Sequence, residues 1–296
     1  MTAPDPSVAA LLDAAARRLQ AAGVQSAALD AERLLRHVLG WERARVIASA
    51  REPVPTDAVV RFEALLAQRA SRRPLQHLTG SQAFWRHEFL VTPDVLIPRP
   101  ETELVVEEAL RRLRPLPRPA LVDVGTGSGC IALSLAAELD GAEVHATDVS
   151  TAALAVAGEN ARRLGLAGRV AFHEGDLLAP VAEPPERFDL VACNPPYVDP
   201  ADALAPEVRD HEPKVALFPP GEPLSVYRRL APQAHRSLKR GGWLIVEVGQ
   251  GQADAVEEVL RRDGFGVESV VTDLQGIPRM ITARSSGLAG GDRFDR

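Results

Sequence analysis

The spacing of apolar positions changes near residue 80. Before it, Val8, Leu11, Leu12, Ala15 and Leu19 recur at helical spacing, and Gly23 supplies a stop. A second helix runs from about Ser26 to Leu39, with Leu35, Val38 and Leu39 on its apolar face and Gly40 beyond it. A third carries Val59, Phe62 and Leu66, with Thr56 as its cap. These stripes read as core-forming faces. A helical unit this small needs a surface to pack on or a partner to bind. From Ser81 to Val91 the pattern alternates, as in a strand or hairpin, and marks the hinge between two parts. The run Ile97-Pro98-Arg99-Pro100-Glu101-Thr102-Glu103 is a proline-stiffened lead-in to a helix reaching about Leu113, and Arg114 to Pro119 is a stiff linker.

From residue 120 to 284, strands alternate with helices. Strands are expected near Ala120–Val124, Glu143–Thr147, Arg169–Phe172, Phe188–Cys193, Trp243–Val248, Gly266–Thr272 and Arg279–Ala283. That alternation predicts an α/β fold, a doubly wound, mostly parallel sheet of seven strands beside a small N-terminal helical domain. The expected division is residues 1–80 helical, 81–100 hairpin and linker, 101–284 the α/β domain, and 285–296 a flexible Gly/Ser-rich tail.

Two constellations carry chemistry. The first is Asn194-Pro195-Pro196-Tyr197, directly after an apolar strand. Two prolines stop the ladder and stiffen the backbone, and neither has an N–H to donate. The Asn194 side-chain oxygen and the Asn194 and Pro195 carbonyls all accept, so the corner suits a planar –NH2 group held by its hydrogens. Tyr197 offers a flat face for stacking. The second is the loop Gly125-Thr126-Gly127-Ser128-Gly129, after a strand containing Asp123. Glycines there let backbone approach a ligand closely. Asp148 closes the next strand, where a carboxylate accepts from ribose hydroxyls. Asp176 is positioned to accept from an adenine amino group and Leu177 to pack on the ring. Together these features point to an S-adenosylmethionine-dependent methyltransferase.

Composition narrows the setting. Of 296 residues, 46% are apolar and 25% charged, enough for a sizeable core. The two cysteines, Cys130 and Cys193, exclude a disulfide framework and fit a reducing cytosol. No apolar run is long enough for a membrane span. The net charge of −6 argues against gripping nucleic acid over a broad face. The first 80 residues hold 11 Arg against 8 Asp plus Glu, so the acidity lies in the remainder.

The chain resembles the PrmC/HemK family of protein-(glutamine-N5) methyltransferases. The likeness rests on the helical N-terminal unit, Pro74 to Gly80, Ile97 to Glu103, Asp123 to Gly129, Asn194 to Tyr197, Glu212-Pro213 and Ala216-Leu217. It implies a class I, Rossmann-like methyltransferase fold. It implies methyl transfer from S-adenosylmethionine, leaving S-adenosylhomocysteine, to the glutamine of the Gly-Gly-Gln motif in class I peptide chain release factors. It also implies a cytoplasmic, monomeric enzyme with no metal. In that assignment Asn194, Pro195, Pro196 and Tyr197 are catalytic and substrate-binding, while Gly125, Thr126, Gly127, Ser128, Gly129, Asp148, Asp176, Leu177 and Asn194 bind the cofactor. Leu177 departs from relatives that carry an aromatic residue there. Arg99, Glu101 and Glu103 are candidates for closing over the cofactor or, equally, favourable charges at a helix N-terminus, and Glu212 for shaping the substrate entrance or simply ordering its loop.

The nearest alternative is an amino-methyltransferase acting on an exocyclic base amine of nucleic acid, which presents the same –NH2 geometry. Such an enzyme must also flip its base and hold the backbone, and no basic stripe or large recognition insertion is present. A nicotinamide-dependent dehydrogenase would need G-x-G-x-x-G, which is absent. A non-enzymatic cofactor-binding or adaptor protein would need a broken acceptor corner, and here it is intact.

Overall fold

A computed structural model describes residues 5–287. The chain divides into two compact units, one formed by residues up to Ser81 together with Leu204–His211, the other by Gln82–Ala203 and the chain from Glu212 onward.

The first unit contains α1 (Val8–Ala21), α2 (Ala27–Leu39), α3 (Arg43–Ala48), α4 (Thr56–Ala70) and α5 (Leu75–Thr79). Leu19, Leu34, Leu35, Phe62 and Leu66 fill its core. Ser7 caps α1 by accepting from the Ala10 N–H, and Gly40 ends α2 in the left-handed region. Thr56 does not cap α4 as expected: Pro55 precedes the helix, and the Thr56 hydroxyl instead donates to Asp5. The short helices α3 and α5 were not legible, because six and five residues are too few to show a period.

This unit also holds a buried ion network. The Arg69 guanidinium donates to Asp30 at 2.8 Å and to Glu207 at 3.0 Å, and Arg72 grips both oxygens of Glu207. Burial pushes the Glu207 carboxyl up, but the arginine hydrogen bonds outweigh it and hold the group below its ordinary range. Glu207 lies in the Leu204–His211 segment, far along the chain from the helices that hold it.

The second unit opens with a hairpin, β1 (Ser81–Phe84) and β2 (His87–Leu90), then a single 3₁₀ turn (Pro100–Thr102) leading into α6 (Glu103–Leu113). The sheet and its helices follow in order: β3 (Ala120–Val124), α7 (Cys130–Glu138), β4 (Glu143–Asp148), α8 (Thr151–Arg163), β5 (Val170–Glu174) and β6 (Phe188–Cys193). After α9 (Pro206–His211), which belongs to the helical unit, come α10 (Lys214–Leu217), α11 (Ser225–Ser237), β7 (Leu238–Glu247), α12 (Ala253–Arg262), β8 (Phe265–Thr272) and β9 (Pro278–Ser285). Ser285, placed in the tail by composition, is buried and closes β9, and the Ser286 N–H donates to the Gly264 carbonyl; the expected tail from residue 288 lies outside the described residues.

The seven strands lie in the order β5-β4-β3-β6-β7-β9-β8, parallel except for β9, which runs antiparallel to both its neighbours. Successive residues of each central strand face opposite layers. Leu121, Leu190, Ala192 and Ile245 pack against α6 and α7, while Val122, Val191, Leu244 and Val246 pack against α11 and α12. A strand covered on both faces reads as a continuous apolar run, which is why Phe188–Cys193 shows no alternation. The strand order reverses between β3 and β6. These two are paired in register, Val124 beside Cys193, so the loops after them meet at one crevice at the carboxyl edge.

Candidate active site

The glycine loop leaves β3 with Gly125, Gly127 and Gly129 all at positive φ. Gly129 shows why the residue is needed: a Cβ there would lie 2.9 Å from Leu133 Cδ1 and 3.2 Å from the Ala157 methyl. The loop is fastened from both sides. Gly125 and Thr126 N–H groups donate to the Thr147 carbonyl, and Gly127 N–H donates to Asp148 Oδ2 at 2.9 Å. Behind it, Thr126 donates its hydroxyl to Asp123 Oδ2 at 2.6 Å. Asp123 is fully buried with its second oxygen unpartnered. Burial drives its pKa up from 3.8 to about 7, against the pull of the Thr126 hydroxyl and Ala132 N–H.

A cavity of about 330 Å³ opens above this edge. Gly125, Thr126, Gly127, Ser128, Asp148, Asp176, Leu177, Asn194, Pro195 and Pro196 all line it. Gly129 and Tyr197 do not; Gly129 packs inward, and Tyr197 lies against Gly249 and the core between the sheet and α11 and α12. Leu177 holds a left-handed backbone, φ 50°, uncommon for a branched residue. Two arginines reach the cavity, and each already has a carboxylate: Arg229 pairs with Asp176, and Arg99 donates to buried Glu212 at 2.6 Å. Among the described residues, no bare cationic cradle for a pyrophosphate therefore faces this crevice. The donor set instead fits an adenosyl group: a strand-end carboxylate for ribose hydroxyls, a tight glycine turn, and apolar walls from Val124, Ile131, Val149 and Leu177.

The acceptor corner sits on the same cavity. Asn194 Nδ2 donates to Thr102 Oγ1 at 3.1 Å, and Thr102 donates to Glu247 Oε2 at 2.6 Å. The Tyr197 hydroxyl donates to Glu247 Oε1 at 3.0 Å, and Tyr227 donates to the Glu247 carbonyl. Burial raises the pKa of Glu247, opposed by the Thr102 and Tyr197 hydroxyls and by Arg279; burial and the Glu247 charge raise that of Tyr197. Gln252 Nε2 donates to the Tyr197 carbonyl and pins the end of the motif. The two thiols near the cavity are inert: burial pushes Cys130 up to about 12 and Cys193 well above its ordinary range.

Three candidates take other positions. Glu103 accepts from the Trp85 N–H and braces the hairpin turn, and Glu101 does not line the cavity. Glu212 holds Arg99 and the Ile97 N–H, which orders the lead-in segment. Thr102 and Glu247 escaped the sequence reading. Glu247 ends an apolar strand and is almost fully buried, and an ionisable residue closing such a run was the available signal.

Two family models match the chain: the PrmC N-terminal domain over residues 10–80 and the methyltransferase small domain over residues 102–210. The release factor glutamine methyltransferase of Cereibacter sphaeroides is 46% identical over 275 residues, covering 92% of this chain and 96% of the relative. That of Geobacter sulfurreducens is 43% identical over 88% of this chain and 91% of its own length. That of Burkholderia pseudomallei is 42% identical over 97% of this chain and 99% of its own length. Among solved structures, the hMettl16 catalytic domain in complex with MAT2A 3'UTR hairpin 6 superposes with a TM-score of 0.53 at 19% identity, covering 74% of this chain and 92% of that one. At that identity it speaks for the methyltransferase fold alone.

Proposed function

The chain belongs to the release factor glutamine methyltransferase family, and from that premise we propose that it methylates the side-chain amide nitrogen (N5) of the Gly-Gly-Gln glutamine in class I release factors, with S-adenosylmethionine as donor. The observation that carries this reading is the meeting of glycine loop, Asp148 and Asn-Pro-Pro corner on one cavity. Gly125 to Ser128, Asp148, Asp176 and Leu177 would hold the donor, Asp148 through its ribose. The donor supplies an electrophilic methyl on a sulfonium and leaves as S-adenosylhomocysteine.

The protein's own task is positioning and electrostatics. A primary amide nitrogen is a poor nucleophile, because its lone pair is delocalised into the carbonyl. Asn194 Oδ1 and the Pro195 carbonyl each accept one hydrogen of the glutamine –NH2 and turn the nitrogen toward the methyl. Both dipoles also stabilise the positive charge that grows on nitrogen. Pro196 lies along the flat amide, and Tyr197 follows it, with its hydroxyl held by Glu247. The proton passes to solvent. The enzyme acts in the cytosol as a monomer, with the release factor as its partner. No helix among the described residues is long and apolar enough to cross a membrane.

The test is transfer of labelled methyl from S-adenosylmethionine to a class I release factor, read by mass spectrometry as one added methyl on the Gly-Gly-Gln glutamine. Labelling of that residue and not of DNA or RNA is expected. Transfer to a base amine, or none to the factor, would overturn the reading.

A further inference from the structure

The acceptor role of Asn194 demands that its carboxamide face the substrate by its oxygen. A carboxamide is nearly symmetrical in shape, so packing alone does not choose between oxygen and –NH2. The choice is made by hydrogen-bond polarity. We infer that Thr102 and Glu247 form a positioning relay that fixes the Asn194 carboxamide with its oxygen toward the substrate; the inference rests on the methyltransferase reading above.

A proton inventory carries the argument. Both carboxyl oxygens of Glu247 are acceptors here. They take the hydroxyl protons of Thr102 at 2.6 Å and Tyr197 at 3.0 Å. Thr102 has one hydroxyl proton, so once that proton points at Glu247 the oxygen presents only lone pairs to Asn194. The Asn194 –NH2 must then face Thr102, at 3.1 Å, and Oδ1 is turned the other way. Flipping the amide would set Oδ1 against a lone pair in a buried place, since Thr102 and Glu247 are each only 2% exposed. The framework brings these groups together. The β6–β7 register sets Cys193 beside Val246, so Asn194, just past β6, and Glu247, the last residue of β7, come side by side. Thr102 arrives from the 3₁₀ turn at the end of the Ile97–Glu103 segment. That accounts for a stretch the sequence singled out but whose role it left open.

Thr102→Val keeps the shape and removes the hydroxyl. With full-length release factor as substrate, kcat should fall by about 100-fold, the scale of a mis-set reacting group, with KM for the factor and affinity for S-adenosylhomocysteine little changed. Thr102→Ser should restore most of the rate. Glu247→Met is an independent variant that removes both acceptors at similar volume. With no acceptor for its proton, the Thr102 hydroxyl can donate to Asn194 Oδ1 instead, so kcat should fall again at unchanged cofactor affinity. In an Asn194→Ala background, Thr102→Val should cost nothing further, because both act through one group. Wild-type kcat in Thr102→Val, failure of Thr102→Ser to rescue, or an equal loss in both backgrounds would each overturn the relay. Should Thr102→Val not fold, a wild-type kcat in Glu247→Met overturns it by itself. Wild-type protein that labels no glutamine defeats the functional reading instead, so the two failures are distinct.

Discussion

Asp148 Oδ2 accepts the Gly127 N–H at 2.9 Å, while Oδ1 accepts from Ser150 N–H at the same distance. One strand-end carboxylate thus fastens the glycine loop and starts the following helix. Each oxygen keeps a free lone pair for a ligand hydroxyl. Asp148→Asn should weaken S-adenosylhomocysteine binding by about tenfold or more, the scale of a charge-assisted hydrogen bond. Titration calorimetry reads the effect, and unchanged affinity would remove Asp148 from the ribose site.

Asn194→Ala removes the side-chain acceptor from the corner. Turnover should fall by about 100-fold or more, as when one preorganised dipole is lost. Cofactor affinity should drop less, because the glycine loop and Asp148 are untouched. Single-turnover methyl transfer to the release factor separates the two effects, and full activity would refute the proposed geometry.

Asp123 makes stability depend on pH in an unusual direction. Its pKa rises on folding from 3.8 to about 7, so in that window the folded chain binds more protons than the unfolded one. Its contribution is therefore greatest in acid, falls as pH rises toward about 7 and then levels off, a span of about 4 kcal/mol. Other carboxylates titrate too, so the comparison is with Asp123→Asn. The difference in melting temperature between the two ligand-free proteins should change between about pH 5 and about pH 8. A constant difference would place the carboxyl in an ordinary state.

The Arg69–Glu207 pair at 3.0 Å is largely buried, with side chains 6% and 17% exposed. Glu207→Ala would leave Arg69 with Asp30 and the Arg73 carbonyl, and Arg72 without the carboxylate it grips. The segment 204–211 should open more readily, by about 2 kcal/mol in its amide exchange, below the usual cost of breaking a buried pair because Asp30 remains. Protection equal to wild type would make the network incidental.

What could be read from the chain follows distance along it. The alternation of strands and helices, the glycine loop and Asn194-Pro195-Pro196 are local patterns, and the sheet sets the last two side by side. Thr102 and Glu247 were hidden because their meaning depends on each other across 145 positions. Asp30, Arg69 and Glu207 are each an ordinary charged residue in sequence, and only folding makes them a network. Tyr197 was expected to offer an open face; the bond from its hydroxyl to Glu247 depended on a strand 50 positions away.

Because Leu204–His211 belongs with the helices, the boundary between the two units is crossed three times by the backbone. No single proteolytic cut yields both halves intact. Removing the first 81 residues would strand Glu207 without Arg69 and Arg72, within a stretch that begins seven residues after Tyr197 and ends just before Glu212. A shortened chain of that kind would carry an unanchored stretch between Tyr197 and Glu212 along its sequence.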